Sequence, residues 1–373
     1  MTDTGSTIRR SALHGEHLAL GADMDVIGGW EVPLRYRSEL DEHRAVREAV
    51  GVFDLSQMGE IRVAGPDAPS FLAHSLISAM KPIALGKAKY TMIVQEDGGI
   101  IDDLIAYRLG VDEFMLVQNA GNCDDVLSTL EERVGGYDVR LDDRSVDTAL
   151  IAVQGPRAEE LLIRVAPDEA ERTIRDLRYY SCTSLEIAGV ESIVARTGYT
   201  GEDGFEIFAP MDRSVEVWRA LLDRGESLGV LPCGLDCRDT LRLEAGMPLY
   251  GKELTRSRTP LEAGLASLIS PAKGRFIGRN ALVNQPEPAR ILVGLEIAGA
   301  AAPADGAALT DGDGAEVGEV TSAAVSPTLH RVIAMGYVDK RCALASTELS
   351  VAVDGEPRTA AVAPMPFYNR KKQ

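Results

Sequence analysis

The chain has 373 residues and carries 39 Lys and Arg against 57 Asp and Glu, a formal net charge of −18. Its hydrophobic content of 45% and charged content of 26% are typical of globular proteins and exclude a disordered or fibrous chain, and the length suits two or three domains. A charge this negative disfavours contacts with phosphates, so we expect no nucleic acid among its partners.

The first part of the chain alternates between helical and strand-like patterns. Apolar residues recur at helical spacing in some segments and run or alternate in others, with Gly and Pro between them. The predicted elements are a helix (38–50), two short strands (52–55 and 60–63), a helix from residue 68, an antiparallel meander (90–118) and a helix (121–134).

A similar cycle of elements follows, and the two cycles together suggest a structural repeat of two α+β units. The predicted elements are a strand (149–153), a helix after Gly155-Pro156, strands within 183–209 and helices over 214–222 and 236–245. Beyond Asn284 short β runs alternate with Gly- and Ala-rich turns, which predicts a separate β domain. We therefore divide the chain into an α+β region, 1–283, and a C-terminal β-barrel domain, 284–373.

The five cysteines are an odd number scattered over a long chain, which is atypical of a disulfide framework. The tightest pair, Cys233 and Cys237, has no nearby His or second pair, so we expect buried thiols and no metal site. Residues 1–10 are polar, and no apolar run approaches the roughly 18 residues that span a membrane. These features predict a cytoplasmic protein without a membrane partner.

Two adjacent carboxylates, Asp102 and Asp103, stand inside the apolar run IIDDLIAY. The two-residue period of a strand sends them to opposite faces, so that if one is solvated the other points inward. A buried carboxylate needs hydrogen bonds, a cation or a function. The pattern alone leaves a structural and a functional role equally open.

The stretch GYTGEDGFE, 198–206, contains three glycines within seven residues. It predicts a tight turn whose backbone closely approaches another group, although a hairpin with solvated acids is the simpler interpretation. If Phe205 faces a core, strand alternation puts Glu206 on the opposite face, where a pocket can use its carboxylate.

The segment DCRDTLRLEA carries two arginines, Arg238 and Arg242, four residues apart on a predicted helix, with Asp239 close enough to pair locally. Arginines on helices are usually surface residues, so the spacing alone predicts exposed side chains. The sequence contains no phosphate-binding loop, no GxSxG and no HExxH. This disfavours nucleoside triphosphates, dinucleotides, hydrolase triads and zinc proteases.

Seven motifs occur in an order that strongly resembles the aminomethyltransferases, or T-proteins, of the glycine cleavage system, from about Leu13 to Phe367. Several motifs in order are more specific than any single one. They are GVFDLSQMGEI (51–61), YTMIVQEDGGIIDDLIAY (90–107), LVQNAGN (116–122), ALIAVQGP (149–156), RTGYTGEDGFEIF (196–208), CGLDCRDTLRLEAGMPLYGKEL (233–254) and SPTL (326–329).

The resemblance implies a cloverleaf-like fold of three domains around a central folate channel: two intertwined α+β domains with antiparallel sheets and a C-terminal barrel or jelly-roll-like domain. It also implies a reaction with a lipoylated H-protein as partner and tetrahydrofolate as cosubstrate. The aminomethyl group on the lipoyl arm would pass to tetrahydrofolate, giving 5,10-methylenetetrahydrofolate, ammonia and dihydrolipoyl H-protein.

The resemblance also implies roles for individual residues. It gives Asp103 the catalytic role, as a carboxylate that stabilises a cationic one-carbon unit and acts as general base, an effect of about 10²–10⁴-fold. It implies that the Glu206 carboxylate accepts hydrogen bonds from the N–H donors of the pterin edge. It also implies that Arg238 donates to a carbonyl oxygen or a carboxylate of the folate. The other implied folate-binding residues are Met58, Tyr90, Asn119, Tyr179, Tyr199 and Arg370.

Two departures from the family pattern leave other functions open. Gln57 stands where the family usually has His, and the segment 268–273 replaces a more usual apolar run before its lysine. Both leave room for a folate-dependent demethylase that takes a methyl group from sulfur, oxygen or nitrogen. A folate-binding iron–sulfur assembly factor of the same superfamily is disfavoured, because its Lys-Gly-Cys-Tyr signature is replaced here by KGRF (273–276).

Overall fold

The helices and strands predicted for the first part of the chain all form. A computed structural model describes residues 8–269, 273–284 and 287–372. Its first elements are α1 (His14–Ala19), β1 (Asp23–Ile27), β2 (Trp30–Arg35), α2 (Glu39–Glu48), β3 (Val50–Asp54), β4 (Gly59–Ala64), α3 (Ala68–Ser75), β5 (Ala88–Val94), β6 (Ile100–Gly110), β7 (Glu113–Gln118), α4 (Cys123–Arg133) and β8 (Arg140–Asp143).

The second cycle of helices and strands follows without a break, and a barrel ends the chain. The second cycle contains β9 (Thr148–Gln154), α5 (Ala158–Val165), α6 (Glu171–Asp176), β10 (Cys182–Ile187), β11 (Val190–Ala195), β12 (Gly204–Pro210), α7 (Ser214–Gly225), β13 (Val230–Pro232), α8 (Leu235–Glu244) and α9 (Arg279–Asn284). The barrel contains β14 (Arg290–Ile297), β15 (Ala308–Thr310), β16 (Glu316–Ser326), β17 (Arg331–Asp339), β18 (Glu348–Val353) and β19 (Glu356–Ala363).

Two large sheets and the antiparallel pair β1-β2 form the α+β region. The first sheet has the order β5-β6-β7-β4-β8, and the second has the order β10-β11-β12-β9-β3-β13, in which only β13 runs parallel to its neighbour β3. The consecutive strands β3 and β4 belong to different sheets, so the two α+β units are intertwined. This confirms the α+β class with two intertwined units.

The two units use the same device to turn from a strand into a helix. In each, a Gly-Pro pair follows the strand that precedes α3 or α5, and Gly65 and Gly155 have φ of 141° and 134°. A Cβ atom on Gly65 would lie 2.3 Å from the carbonyl oxygen of Asp138, and one on Gly155 would lie 2.6 Å from that of Ala49. Only glycine fits both the conformation and the space.

Helices α3 and α4 cover one face of the first sheet, α5 to α7 cover one face of the second, and the two sheets meet on their other faces together with α2 and α8. Phe71 lies in the core between the first sheet and its helices, and Trp218 lies in the corresponding core of the second unit. A third apolar cluster lies between the sheets, where the rings of Tyr107 and Phe208 meet edge to face at 5.6 Å. Side chains of both sheets therefore meet in one buried layer.

The C-terminal strands close into the predicted barrel. Its six strands follow the order β14-β17-β16-β15-β18-β19, and β19 pairs back to β14. Val and Leu side chains from all parts of the barrel fill its interior. Among the described residues, no helix has both the length and the apolar composition to cross a lipid bilayer.

Helix α8 lies where the barrel meets the α+β region, and it corrects one expectation. Arg242 is 0% exposed, and its guanidinium donates to Asp239 at 2.7 Å, to Glu253 at 2.8 Å and to the hydroxyl of Ser322 on β16 at 2.7 Å. The prediction of an exposed arginine is wrong for this residue because the barrel covers that part of the helix.

The end of α8 carries a second buried charge. The Glu244 carboxylate accepts hydrogen bonds from Arg47 on α2 at 2.7 Å and from the Ser326 hydroxyl of the barrel at 2.5 Å. Burial alone would raise the pKa of Glu244, but the hydrogen bond from His43 and the charge of Arg47 hold it at about 2. Helix α8 is thus tied by charged groups to α2 and to the barrel.

We expect Arg242→Met to destabilise the protein strongly, because it leaves the buried Glu253 carboxylate without its cation. Removing one partner of a buried pair costs about 3–5 kcal/mol, which urea denaturation measures as a lower free energy of unfolding. The control is Arg175→Met, which removes solvent-exposed pairs with Glu159 and Glu171 and should change little. Equal stability of the two variants would contradict the role given to Arg242.

Candidate active site

Strand β6 directs its two adjacent acids into different layers of the molecule. Asp103 shares a face with Ile105 and Tyr107, which pack in the cluster between the sheets. Asp102 shares the other face with Leu104 and Ala106, which pack toward α3 and α4. The predicted alternation is confirmed, and it aims Asp103 toward the junction of the two units.

Two neutral groups hold the Asp103 carboxylate. The Tyr90 hydroxyl on β5 donates to its Oδ2 at 2.9 Å, and the Asn119 side-chain amide donates to its Oδ1 at 2.8 Å. Burial raises the pKa of Asp103, although these two hydrogen bonds oppose the shift. A carboxylate with a raised pKa, fixed in one orientation, is suited to accept a proton near neutral pH.

Asp102 is not solvated either. It is 0% exposed and accepts three hydrogen bonds, from the Asn119 backbone N–H at 3.0 Å, the Asn119 side chain at 2.9 Å and the Asn122 side chain at 2.6 Å. Burial and the nearby charge of Asp103 raise its pKa. The face opposite Asp103 is covered because α4 begins there.

Glu206 on β12 lies as the alternation predicts, with Phe205 in the helix-covered core on the other face. Its Oε2 accepts hydrogen bonds from the Tyr107 hydroxyl at 3.1 Å and from the Thr197 hydroxyl at 2.5 Å. No described residue donates to its other oxygen, Oε1. The carboxylate is therefore held from one side and available to a ligand on the other.

Arg238 lies one helical turn before Arg242 and has a contrasting environment. Its guanidinium carbon lies 4.7 Å from the centre of the Tyr199 ring, and the guanidinium makes no hydrogen bond or ion pair with any described residue. Burial lowers the pKa of Arg238, and the neighbouring Tyr199 and Glu206 oppose the shift. A partly buried cation whose five N–H donors bond to no described residue is suited to a ligand oxygen.

The glycine-rich turn places Tyr199 beside Arg238. The Tyr199 hydroxyl donates to the carbonyl oxygen of Pro248 at 2.5 Å, which fixes the ring. The close approach predicted for this turn is to Gln154, because a Cβ atom on Gly198 would lie 2.0 Å from its side-chain oxygen. The turn thus presents an aromatic face toward the arginine.

The remaining predicted site residues lie at the margins of this region. Met58 packs against the cluster between the sheets. Tyr179 is 49% exposed, with its ring 4.8 Å from that of Tyr180. Arg370 lies 3.6 Å from Asp203, and burial raises the pKa of Tyr179 although the charge of Arg370 opposes that shift. The structure thus brings Tyr179 and Arg370 together at an exposed edge.

Sequence reasoning missed three residues that belong to this region. Tyr107 and Thr197 hold Glu206, and the signal for Tyr107 was present, since it stands four residues after Asp103 on the same strand face. Glu60 on β4 gave no signal. It is 0% exposed, and neither of its carboxyl oxygens has a hydrogen-bond partner among the described residues.

The structure shows the surroundings of Gln57 and of part of the segment 268–273, the two departures from the family pattern. Gln57 is buried in the turn between β3 and β4. Of the segment 268–273, residues 270–272 lie outside the described residues. Lys273 donates to the carbonyl oxygens of Leu76 and Ser78 just after α3, and burial lowers its pKa to about 7.

Cys233 precedes α8 and Cys237 lies in its first turn. Together with Glu42 they bring possible metal ligands within 4.8 Å of one another. The structure already uses these groups. The Glu42 carboxylate accepts from three backbone N–H groups, and the Cys237 thiol donates to the Gly234 carbonyl oxygen at 3.3 Å. Burial raises the pKa of Cys237 well above its usual value, which disfavours the thiolate that a metal needs.

Comparison with known proteins gives one consistent family. Residues 13–273 match the GCVT N-terminal domain, and residues 290–369 match the glycine cleavage T-protein C-terminal barrel domain. The chain is 47% identical to an aminomethyltransferase of Corynebacterium jeikeium (98% of this chain, 99% of the relative) and 47% identical to one of Streptomyces coelicolor (99% and 100%). It superposes on the crystal structure of the glycine cleavage system aminomethyltransferase T of Bartonella henselae with a TM-score of 0.90 at 33% identity, over 97% of this chain and 99% of that one.

We expect Glu60→Gln to stabilise the protein at neutral pH. Burial and the charges of Asp143 and Glu206 raise the pKa of Glu60 well above its usual value, so the folded state holds a proton that the unfolded state releases. Glu60 therefore costs stability increasingly as the pH rises above 4.5, the ordinary value for Glu.

Urea denaturation of this variant measures the effect. The gain in unfolding free energy should be small at about pH 5 and larger at about pH 8. Glu186→Gln, at an exposed position of β10, is the control and should show no such trend. A loss of stability at the higher pH would contradict the assignment of a buried, unpartnered carboxyl group.

Proposed function

Because the chain belongs to the glycine cleavage T-protein family and is an aminomethyltransferase, we propose that its reaction takes place at the site around Asp103. The aminomethyl group arrives on the lipoyl arm of an H-protein and is transferred to tetrahydrofolate. The products are 5,10-methylenetetrahydrofolate, ammonia and dihydrolipoyl H-protein. Its five cysteines are free thiols, which supports a reducing compartment such as the cytoplasm.

The observation that carries this proposal is the contrast between Arg238 and Arg242 on one helix. Arg242 has a complete set of protein partners, whereas Arg238 makes only a ring contact with Tyr199 among the described residues and stands beside Glu206, whose Oε1 accepts from no described residue. A guanidinium and a carboxylate oxygen without protein hydrogen bonds are available to a ligand. A pterin offers N–H donors for the carboxylate and a carbonyl oxygen for the guanidinium, so the residues present fit this ligand.

Aromatic and soft side chains supply the rest of the proposed folate site. Tyr90 beside Asp103 and Tyr199 beside Arg238 provide aromatic surface, and Met58 provides a thioether, both of which suit a planar ring. Asn119 contributes its amide. We assign Tyr179 and Arg370, at the exposed edge, to the part of the folate that lies farther from the pterin.

Asp103 performs the proton transfer in this proposal. It takes the proton from the folate nitrogen as that nitrogen bonds to the one-carbon unit, while the electron pair of the broken carbon–sulfur bond goes to the lipoyl sulfur, which takes up a proton. The second folate nitrogen then bonds to the same carbon and gives up its proton, while the electron pair of the broken carbon–nitrogen bond leaves with the amino group, which takes up a proton as ammonia. Its negative charge stabilises the positive charge that develops on the one-carbon unit, and it does so strongly because the site is withdrawn from water. Tyr90 and Asn119 keep the carboxylate in one orientation throughout.

We expect Asp103→Asn to lower turnover at least about 100-fold, as the loss of a general base predicts, while tetrahydrofolate still binds to the variant. The substitution keeps the shape and removes the charge, so it separates electrostatics from positioning. Turnover is measured with aminomethylated H-protein and tetrahydrofolate, and binding by calorimetry. Full turnover of this variant would contradict the proposed role.

The same assay tests the donor. The wild-type enzyme is run beside small compounds with methyl groups on sulfur, oxygen or nitrogen. Turnover with aminomethylated H-protein supports the proposal. Turnover with a methyl compound and none with H-protein would overturn it in favour of a folate-dependent demethylase.

We expect Glu206→Ala to weaken tetrahydrofolate binding. A hydrogen bond to a charged group contributes about 1.5–3 kcal/mol, roughly a 10- to 150-fold change in Kd. The control is Glu186→Ala, two strands away in the same sheet, where the side chain is exposed and no change in Kd is expected. An unchanged Kd for the Glu206 variant would remove this residue from the folate site.

A further inference from the structure

Asp102 is a fully buried acid that the reaction described above does not use. Both its oxygens are occupied by N–H donors from the segment that leads into α4. Burying an acid costs desolvation free energy, and an apolar residue of similar volume would fill the same space in the core without that cost. Its partners therefore indicate what it does.

One side chain connects the two acids. The Asn119 amide nitrogen lies 2.9 Å from Oδ1 of Asp102, 2.8 Å from Oδ1 of Asp103 and 3.0 Å from the carbonyl oxygen of Asp103. Because all three atoms are acceptors, only the NH₂ end of the amide can face them. The orientation of Asn119 is therefore fixed by Asp102 and imposed on Asp103.

We propose that Asp102 is a positioning residue for the transfer reaction, which acts through Asn119 to hold the Asp103 carboxylate in its reactive orientation. This inference rests on the proposed function, since it concerns the same base. Asp102 also fixes the Asn119 backbone N–H, and Asn122, the residue before α4, fixes Asp102 in turn. The orientation of the base is thus anchored to the start of a helix.

The groups around the pair make its two charges interdependent. The facing titratable groups are Tyr90 from β5, Cys123 at the start of α4, Tyr180 before β10, Tyr199 from the glycine-rich turn and Tyr250 after α8. None of them is a cation, and neither acid forms an ion pair with any described residue. The negative charge of one acid therefore raises the proton affinity of the other without compensation.

This coupling gives the two acids an order of ionisation. Burial raises the pKa of both, and the charge of Asp103 raises the pKa of Asp102 further, so Asp103 loses its proton first and Asp102 loses its proton at higher pH. The second ionisation places a negative charge on the other acid that Asn119 contacts. Asp102→Asn removes this second ionisation and leaves the ionisation of Asp103 in place.

The experiment is the pH dependence of kcat for Asp102→Asn with aminomethylated H-protein and tetrahydrofolate. We expect kcat to fall by at least about tenfold, within the roughly 10²-fold that a misplaced catalytic group costs. The acid limb of the profile, which Asp103 sets, should stay in place, the dependence of kcat on pH above that limb should be reduced because the second ionisation is lost, and the Kd for tetrahydrofolate should stay close to the wild-type value. A wild-type kcat with an unchanged pH profile would overturn the proposal.

A double-mutant cycle with Asn119→Ala tests the route of the effect. If Asp102 acts through Asn119, the double variant loses no more kcat than Asn119→Ala alone, because the connection is already broken. If the decreases in kcat of the two single variants add in full, Asp102 acts independently of Asn119, which would contradict the proposal. The melting temperatures of all three variants show how much of any loss is structural.

Asn122→Ala provides a second approach if Asp102→Asn does not fold. It removes the donor at 2.6 Å from Asp102 and leaves Asn119 and Asp103 unchanged. We expect kcat to fall severalfold with unchanged folate affinity, and an unchanged kcat would count against the proposal. Asp103→Asn distinguishes a failure of the proposed function from a failure of the inference about Asp102. If that variant is fully active the proposed function fails, whereas if it is inactive and Asp102→Asn is normal only the present inference fails.

Discussion

The set of buried charges on α8 is the constraint on which the rest of the structure depends. Arg242 and Glu244 are both withdrawn from water, and each is stable only while its partners on α2 and the barrel stay in place. This requirement fixes the helix in rotation and in translation. Arg238 then has no freedom to find a protein partner of its own, and it is presented to the junction of the two sheets.

The site follows from the way in which the two sheets meet. Strands β6 and β12 each turn one face toward the shared layer, so Asp103 and Glu206 arrive there from different units. Neither acid is neutralised by a cation, and each is held by neutral hydrogen-bond donors instead. In a region withdrawn from water, such carboxylates interact strongly with a cationic substrate or a donor ligand, because little solvent screens them.

Much of this arrangement was readable in the sequence because it depends on local rules. The two-residue period of strands separated Asp102 from Asp103 and Phe205 from Glu206. The apolar spacing predicted α2, α4, α7 and α8 to within a few residues of their ends, whereas the short helices α1, α6 and α9 were not predicted. The glycines of the turn before β12 correctly predicted a close approach. The motifs in order identified the family, since each is constrained by the same fold and chemistry.

Tertiary structure alone decided the features that depend on residues distant in the sequence. The sequence could not show that a barrel strand covers Arg242, that Tyr107 bonds to Glu206 or that Glu60 has no partner, because each depends on how whole units pack. The contacts of Asn119 with both Asp102 and Asp103 likewise depend on how separate parts of the chain pack together. Periodicity assigns a side chain to a face, whereas its solvation and charge are determined by what covers that face.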